Sequence, residues 1–194
     1  MFIRPLAAAL FFLSWMVLFP GSLTVGVYAK VTEDSGWHHI ATRHTIIHYQ
    51  SIGDLNQFNR KVAYHTGKWG VLSTIFGSNS DALHDKIRKK VDGIFEKTQH
   101  LLGMRKPMDK VHIYICRNKK QLNDHSISIY GRPSRFRAWY VYQLNAVYVN
   151  RGDLDEGILS HELAHSIIDH YLLVRPPKAT AEILASYVDL HLYD

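Results

Sequence analysis

The chain has 194 residues, of which 46% are hydrophobic and 21% are charged. This length and composition are typical of one globular domain and exclude a disordered chain, a coiled coil or a repeat array. The formal net charge of +6 is mild and the basic residues are not interleaved with aromatic ones, so no nucleic-acid partner is expected. Cys116 is the single cysteine, which excludes an intramolecular disulfide.

The first 29 residues have the features of a secretory signal peptide. A basic start at Arg4 precedes an apolar run over residues 6–19, a Pro-Gly pair ends that run, and small residues lead up to Ala29. We therefore predict cleavage after Ala29, export to the periplasm or the exterior, and a mature domain over residues 30–194 without stable membrane insertion. The alternative is an uncleaved membrane anchor, because no charge lies between Arg4 and Lys30.

The mature sequence predicts a series of strands and helices. Alternation of apolar and polar residues predicts strands at residues 42–50, 111–116, 137–143 and 146–150. Helical spacing predicts helices at residues 55–65, 81–102, about 118–124 and about 179–192. This order indicates an α+β fold, in which a small mixed sheet packs against helices.

One further helix has the clearest start signal in the sequence. Asp153 followed by Glu156 resembles a capping box, and apolar residues continue at helical spacing to Leu172. The Arg-Pro-Pro run at residues 175–177 ends the helix. Within it lies a His-Glu-x-x-His motif at residues 161–165.

The spacing of this motif carries a chemical meaning. Two histidines four residues apart on a helix differ by about 40° in direction and about 6 Å in height, so their imidazoles can bind one ion. His161 and His165 are therefore predicted zinc ligands. Glu162 is rotated by about 100° from His161, which makes it a poor ligand but places it to take a proton from a zinc-activated water.

A catalytic zinc site needs a third protein ligand. Asp169 follows His165 by one helical turn, but a straight helix cannot bring residues 161, 165 and 169 to one ion. Asp169 is therefore expected either to support a ligand or to have a structural role. Glu182 is the better candidate, because the Pro-Pro break lets the next helix fold back. The alternative is that Glu182 is a first-turn glutamate favoured by the helix dipole.

Residues 161–171, followed by residues 181–187, resemble the gluzincins, the thermolysin- and aminopeptidase-like zinc peptidases. The resemblance spans about residues 145–189 and implies a minimal, single-domain, zincin-like form with its site on two consecutive C-terminal helices. By this resemblance the two motif histidines and Glu182 bind one catalytic Zn²⁺ ion, and Glu162 is the general base.

The resemblance also suggests supporting residues. This chain has Ser186 where thermolysin-like enzymes place a supporting aspartate, so Asp189 is expected to take that role. Candidates for supporting the ligands or stabilising an oxyanion are Asp169, Asp189, Tyr187, Tyr171 and His170. The strand expected to form the sheet edge that binds an extended substrate comprises Ala146, Val147, Tyr148 and Val149 and ends at Asn150.

The sequence therefore predicts an exported zinc metallopeptidase that acts on peptides or proteins. One alternative is a catalytically inactive binding domain of the same fold, in which zinc has a structural role. The 13 histidines suggest another alternative, metal binding in the periplasm, although those outside the motif lack a ligand-like spacing.

Overall fold

Five strands and five α-helices form the part of the chain described by the structure, a computed structural model covering residues 36–64 and 80–194. The strands are β1 (His38–Ala41), β2 (Thr45–Tyr49), β3 (Val111–Cys116), β4 (Ala138–Val141) and β5 (Ala146–Asn150). The helices are α1 (Ile52–Lys61), α2 (Ser80–Leu102), α3 (Lys119–Tyr130), α4 (Glu156–Tyr171) and α5 (Lys178–Leu190). The predicted signal peptide and its cleavage site lie outside the described residues.

The strands form one mixed sheet in the order β1-β2-β3-β5-β4. The central strands β2, β3 and β5 are parallel, while β1 and β4 pair antiparallel with their neighbours at the two edges. A 3-10 turn (Tyr142–Leu144) and Asn145, which has a φ of 43°, connect β4 to β5. The predicted α+β class with a small mixed sheet is confirmed.

Helices α1, α2 and α4 cover one face of the sheet. Alternate residues of β3, namely Val111, Ile113 and Ile115, are buried in the core on this face. They meet the apolar face of α2, where Val91 and Phe95 are fully buried. Strands in which every second residue is apolar thus pack against a helix whose apolar residues recur every three or four positions.

The opposite face of the sheet is covered in part by α3. Leu122 of this helix packs with Cys116, Trp139 and Tyr148, which all lie on that face. The helix begins after Asn118, whose side chain accepts a hydrogen bond from the N–H of Gln121, as predicted. It ends only at Tyr130, before Gly131 with a φ of 70°, and so extends well beyond the predicted end at about residue 124.

A buried carboxylate links the ends of two central strands. Asp54, in the first turn of α1, is 1% exposed and forms ion pairs with Arg151 and, at 3.6 Å, with Arg117. These arginines follow β5 and β3 directly. A buried carboxylate requires such partners, so this contact fixes the chain just before α4 begins.

The structure corrects several predicted boundaries. Strand β1 was not predicted, because only Ile40 in it is buried and its sequence does not alternate. The N-cap of α4 is Asp155 and not Asp153, since the Asp155 side chain accepts a hydrogen bond from the N–H of Ile158 at 2.7 Å. Asp153 instead accepts one from the side chain of Asn150 at 2.6 Å.

Candidate metal centre

Helices α4 and α5 pack closely and position the candidate site. Leu159, Leu163 and Ile167 bury one side of α4 in the main core. Another side of α4 meets α5 through a separate buried cluster formed by Ala164, Ile168, Ala185 and Val188. The two alanines allow a close approach, because the distance between packed helices depends on the side chains at the contact.

Three side chains converge where these helices meet. The Nε2 atoms of His161 and His165 are 3.2 Å apart. The Oε2 atom of Glu182 lies 3.5 Å from Nε2 of His161 and 3.6 Å from Nε2 of His165. Among the residues that the structure describes, no other three His, Cys, Asp or Glu side chains bring their ligand atoms within 4.8 Å of one another.

These spacings fit a tetrahedral zinc ion. Ligand distances of about 2.0–2.2 Å place neighbouring ligand atoms of a tetrahedron about 3.3–3.6 Å apart. Two imidazoles and one carboxylate are also a donor set used by catalytic zinc sites, in which the fourth position remains open for water or substrate. Both the chemistry and the spacing of His161, His165 and Glu182 therefore suit zinc.

The protonation state of His165 favours metal binding. The imidazoles of His161 and His165 are largely buried, whereas the Glu182 side chain is about half exposed. Burial, followed by the neighbouring His161, lowers the pKa of His165. A lowered pKa keeps the imidazole neutral near pH 7, and the neutral ring is the form that binds a metal.

Glu162 lies beside this group and not within it. The pKa of the Glu162 carboxyl is raised to about 8, mainly by burial and further by the negative charge of Glu182, while a hydrogen bond from the backbone N–H of Tyr140 opposes both effects. The carboxyl can therefore exchange a proton near neutral pH, as a general base and acid must. The N–H of Tyr140 also places Glu162 next to strand β4.

The three converging residues and Glu162 open onto a cleft of about 1090 Å³. Strand β4 forms one wall through Ala138, Trp139 and Tyr140. Within the described residues β4 pairs only with β5, so its other side is a free sheet edge. The site therefore combines three potential ligands, a carboxyl group and an exposed strand edge in one concave surface.

The predicted substrate strand was wrong. Strand β5, which contains Ala146, Val147, Tyr148 and Val149, lies between β3 and β4 and is buried throughout. Its backbone groups are paired on both sides, so it cannot accept another strand. Sequence alone suggested that β4 and β5 pair, but it did not show which of them forms the edge.

The contacts of Asp169 match the structural one of its two predicted roles. Asp169 is 8% exposed and its carboxylate lies 2.8 Å from the guanidinium of Arg175, which stacks on the ring of Tyr142 at 4.4 Å. Asp169 thus fixes the connection between α4 and α5. It forms no hydrogen bond with either motif imidazole in the described structure.

The Asp189 side chain contacts α4 at Gly157, one helical turn before His161, and not at the two motif histidines. Its Oδ1 atom would be 2.1 Å from a Cβ added at Gly157, so the carboxylate rests on the first turn of α4. In the described structure it forms no hydrogen bond with His161 or His165. The absence of a side chain at Gly157 is what allows this approach.

The predicted oxyanion tyrosines lie away from the cleft. Tyr187 stacks on His191 with ring centroids 4.2 Å apart, and Tyr171 lines a separate depression with Met104 and Met108. The Nδ1 atom of His170 lies 2.9 Å from the carbonyl oxygen of Ser166. Tyr140 and Arg175 line the cleft instead. Neither residue was predicted, since their placement depends on the sheet edge and on the turn after α4.

Comparisons with known protein families, curated proteins and solved structures found no match to this chain. None of the helices that the structure describes is long and apolar enough to cross a membrane.

Proposed function

We propose that this chain is an exported zinc-dependent peptidase with a zincin-like active site. The observation that carries the proposal is the convergence of two imidazoles and a carboxylate at tetrahedral spacing, with Glu162 beside them. A structural zinc site is normally closed by four protein ligands, whereas a catalytic one has three and an open position. The three residues found here open onto a cleft, which favours catalysis over a structural role.

Each residue has a distinct role in this proposal. His161, His165 and Glu182 would hold the ion, which when bound supplies Lewis-acid activation of water and of the scissile carbonyl. Glu162 accepts a proton from the attacking water and delivers it to the leaving amine. The same carboxyl can perform both transfers, because the proton that it accepts in the first is the one that it delivers in the second.

The substrate would be an extended peptide bound along β4. Its backbone would add a strand to the free edge of the sheet, so binding would depend mainly on main-chain hydrogen bonds. Tyr140 and Arg175 line the same cleft and are the candidates for stabilising the oxyanion, which requires donors directed at the developing charge.

The decisive experiment is the substitution Glu162→Gln. We expect the variant to bind zinc with unchanged stoichiometry. Its rate of hydrolysis of an unstructured, fluorescently labelled protein should fall at least about 100-fold, because general-base catalysis contributes about 10²–10⁴-fold. The matched control is Glu96→Gln, an exposed glutamate that pairs with Arg43. A chelator should abolish hydrolysis by the unaltered protein.

The outcomes separate the peptidase from the inactive binding domain. Equal cleavage by the unaltered protein and Glu162→Gln would refute the general-base assignment. Stoichiometric zinc binding with no cleavage by either protein would favour a binding domain. Export has its own test, since N-terminal sequencing of the exported protein should begin at Lys30; retention of residues 1–29 would favour the membrane-anchored alternative.

A further inference from the structure

The cleft beside the metal centre carries an excess of basic side chains. Arg132 and Arg135 line it from the segment that leads from α3 into the edge strand β4. Lys178, the first residue of α5, and Arg175 line it from the side of the α4–α5 connection. Basic groups therefore approach the same cavity from two separate parts of the chain.

The acidic groups of the cleft do not neutralise this excess. Its carboxylates are those of Glu162, Asp169 and Glu182. Asp169 is paired with Arg175, Glu182 is one of the proposed metal ligands, and Glu162 is the proposed general base beside them. This leaves the remaining basic side chains without an acidic partner inside the cleft.

The remaining basic groups are also free of partners elsewhere in the described structure. The side chains of Arg132, Arg135 and Lys178 are exposed and form no ion pair with any described residue. Arg151 and Arg117, by contrast, are held by Asp54. Unpaired basic groups that line one concave wall attract anions, and a planar guanidinium suits a carboxylate because it can donate two parallel hydrogen bonds.

We propose that the cleft selects peptides that carry carboxylate groups close to the bond being cleaved. This inference rests on the proposed peptidase function and names its substrate class. Arg132 and Arg135 are the specificity-determining residues, because they line the cleft in the segment that leads into the strand edge along which the peptide would lie. The carboxylate can belong to an internal Asp or Glu side chain or to the C-terminus of the peptide.

A binding assay tests this inference without requiring hydrolysis. The zinc-loaded full chain carrying Glu162→Gln is titrated against fluorescent ten-residue peptides that differ only in Glu or Gln at internal positions, each with an amidated or a free C-terminus. We expect at least one carboxylate-bearing peptide to bind about 10-fold more tightly than the amidated Gln peptide, which is the effect of a few exposed ion pairs acting together. The amidated Glu peptide reports side-chain recognition and the free-terminus Gln peptide reports terminal recognition.

Variants then assign the preference to the proposed residues. The double substitution R132Q/R135Q should reduce the preference to about 3-fold or less, whereas the control Arg137→Gln should preserve it. Arg137 is an exposed arginine of the same segment that does not line the cleft. The preference should also shrink as salt rises from about 50 mM to about 500 mM, because exposed ion pairs are screened.

The results distinguish this inference from the function on which it rests. Equal affinity for the amidated Gln peptide and for every carboxylate-bearing peptide would overturn it, even if the unaltered protein cleaves peptides well. An equal preference in R132Q/R135Q and Arg137→Gln would also overturn it. A single-stranded oligonucleotide that bound more tightly than every peptide would assign the basic wall to a different ligand. Loss of hydrolysis in all assays would count against the peptidase proposal but would leave the binding result interpretable.

Discussion

Two pairs of histidines lie in different parts of this molecule, and only one has the environment of a metal site. His161 and His165 present their Nε2 atoms 3.2 Å apart, with the Glu182 carboxylate nearby and a cleft in front of them. His48 and His112 lie on neighbouring strands of the sheet, with Nε2 and Nδ1 2.9 Å apart and their rings stacked. Both pairs have nitrogen atoms close enough to share one ion.

The difference lies in what surrounds each pair. Within the described residues, no third His, Cys, Asp or Glu completes a ligand group around His48 and His112. Tyr114 stacks on His48 at 4.3 Å, so this pair belongs to a layer of aromatic rings on the sheet. Burial, followed by the charge of His112, lowers the pKa of His48 to about 4. Proximity of two imidazoles is therefore insufficient, and the carboxylate together with open space distinguishes the candidate zinc site.

Removal of that carboxylate should have the largest effect. We expect Glu182→Gln to weaken zinc binding by more than about 100-fold, since loss of groups that merely support a ligand already costs about 10–100-fold. Competition with a chromophoric chelator measures the affinity. Because the Glu182 side chain is about half exposed, the variant should fold, which circular dichroism can verify.

The second histidine pair supplies the control for that experiment. His48→Gln should bind one zinc ion with unaltered affinity, because the ring lies outside the three-residue group. Zinc affinity lowered equally by His48→Gln and Glu182→Gln would remove the distinction between the two pairs.

Loss of the contact between Asp169 and Arg175 should have the next largest effect. This effect is on the stability of the fold and not on zinc binding. Asp169→Asn removes a charge-assisted hydrogen bond at a nearly buried position, so we expect the free energy of unfolding to fall by about 1–3 kcal/mol. Urea denaturation measures it. The control is Asp124→Asn, which breaks the exposed pair with Lys120 and should cost less than about 0.5 kcal/mol. Equal losses in both variants would show that Asp169 does not fix the α4–α5 connection.

The half-buried pair of His48 and His112 should make stability depend on pH. The pKa of His48 is about 4 in the folded chain, below its ordinary value of 6.5, so the unfolded chain binds more protons between these values. The contribution of His48 to the free energy of unfolding should therefore be complete above about pH 6.5 and should be lost as the pH decreases towards 4. We expect a loss of about 1 kcal/mol between pH 7 and pH 5, since partial exposure of the ring screens the effect.

Urea midpoints at pH 5, 6 and 7, recorded with a chelator present, isolate this contribution from zinc release. The His48→Gln variant should lose less stability on acidification than the unaltered protein. His100→Gln, which alters an exposed histidine, should behave like the unaltered protein. An identical pH dependence in all three proteins would contradict the assignment to His48.

The local pattern of apolar and polar residues predicted most of the helices and strands, but not which strands lie next to each other in the sheet. The alternation of Val111, Ile113 and Ile115 fixed the bounds of β3, because a strand buried on one face must alternate. The motif histidines were predicted to converge because helix geometry alone brings them together. The sheet order was not predictable, since pairing of β5 with both β3 and β4 depends on contacts distant in sequence. The substrate-strand error has this origin.

The placement of Asp189 failed for a related reason. Helical spacing put it two turns after Glu182, but the side chain's target depends on how α5 crosses α4. The structure places its carboxylate against Gly157, where an added Cβ would lie 2.1 Å from Oδ1. Sequence spacing alone cannot distinguish a carboxylate that lies one helical turn away from the histidines from one that forms a hydrogen bond with them.

Asp189→Asn should therefore produce the smallest effect of the series. We expect zinc affinity to change by less than about twofold, because the carboxylate forms no hydrogen bond with either imidazole in the described structure; a true supporting partner would cost about 10–100-fold. Gly157→Ala gives a second measurement, since its methyl group displaces the Asp189 carboxylate while leaving its charge. If both variants lost affinity about 10-fold or more, Asp189 would reach the ligands when zinc is bound, and the support predicted from the sequence would be restored. Unchanged affinity in both would mean that the site relies on its three ligands and on helix packing.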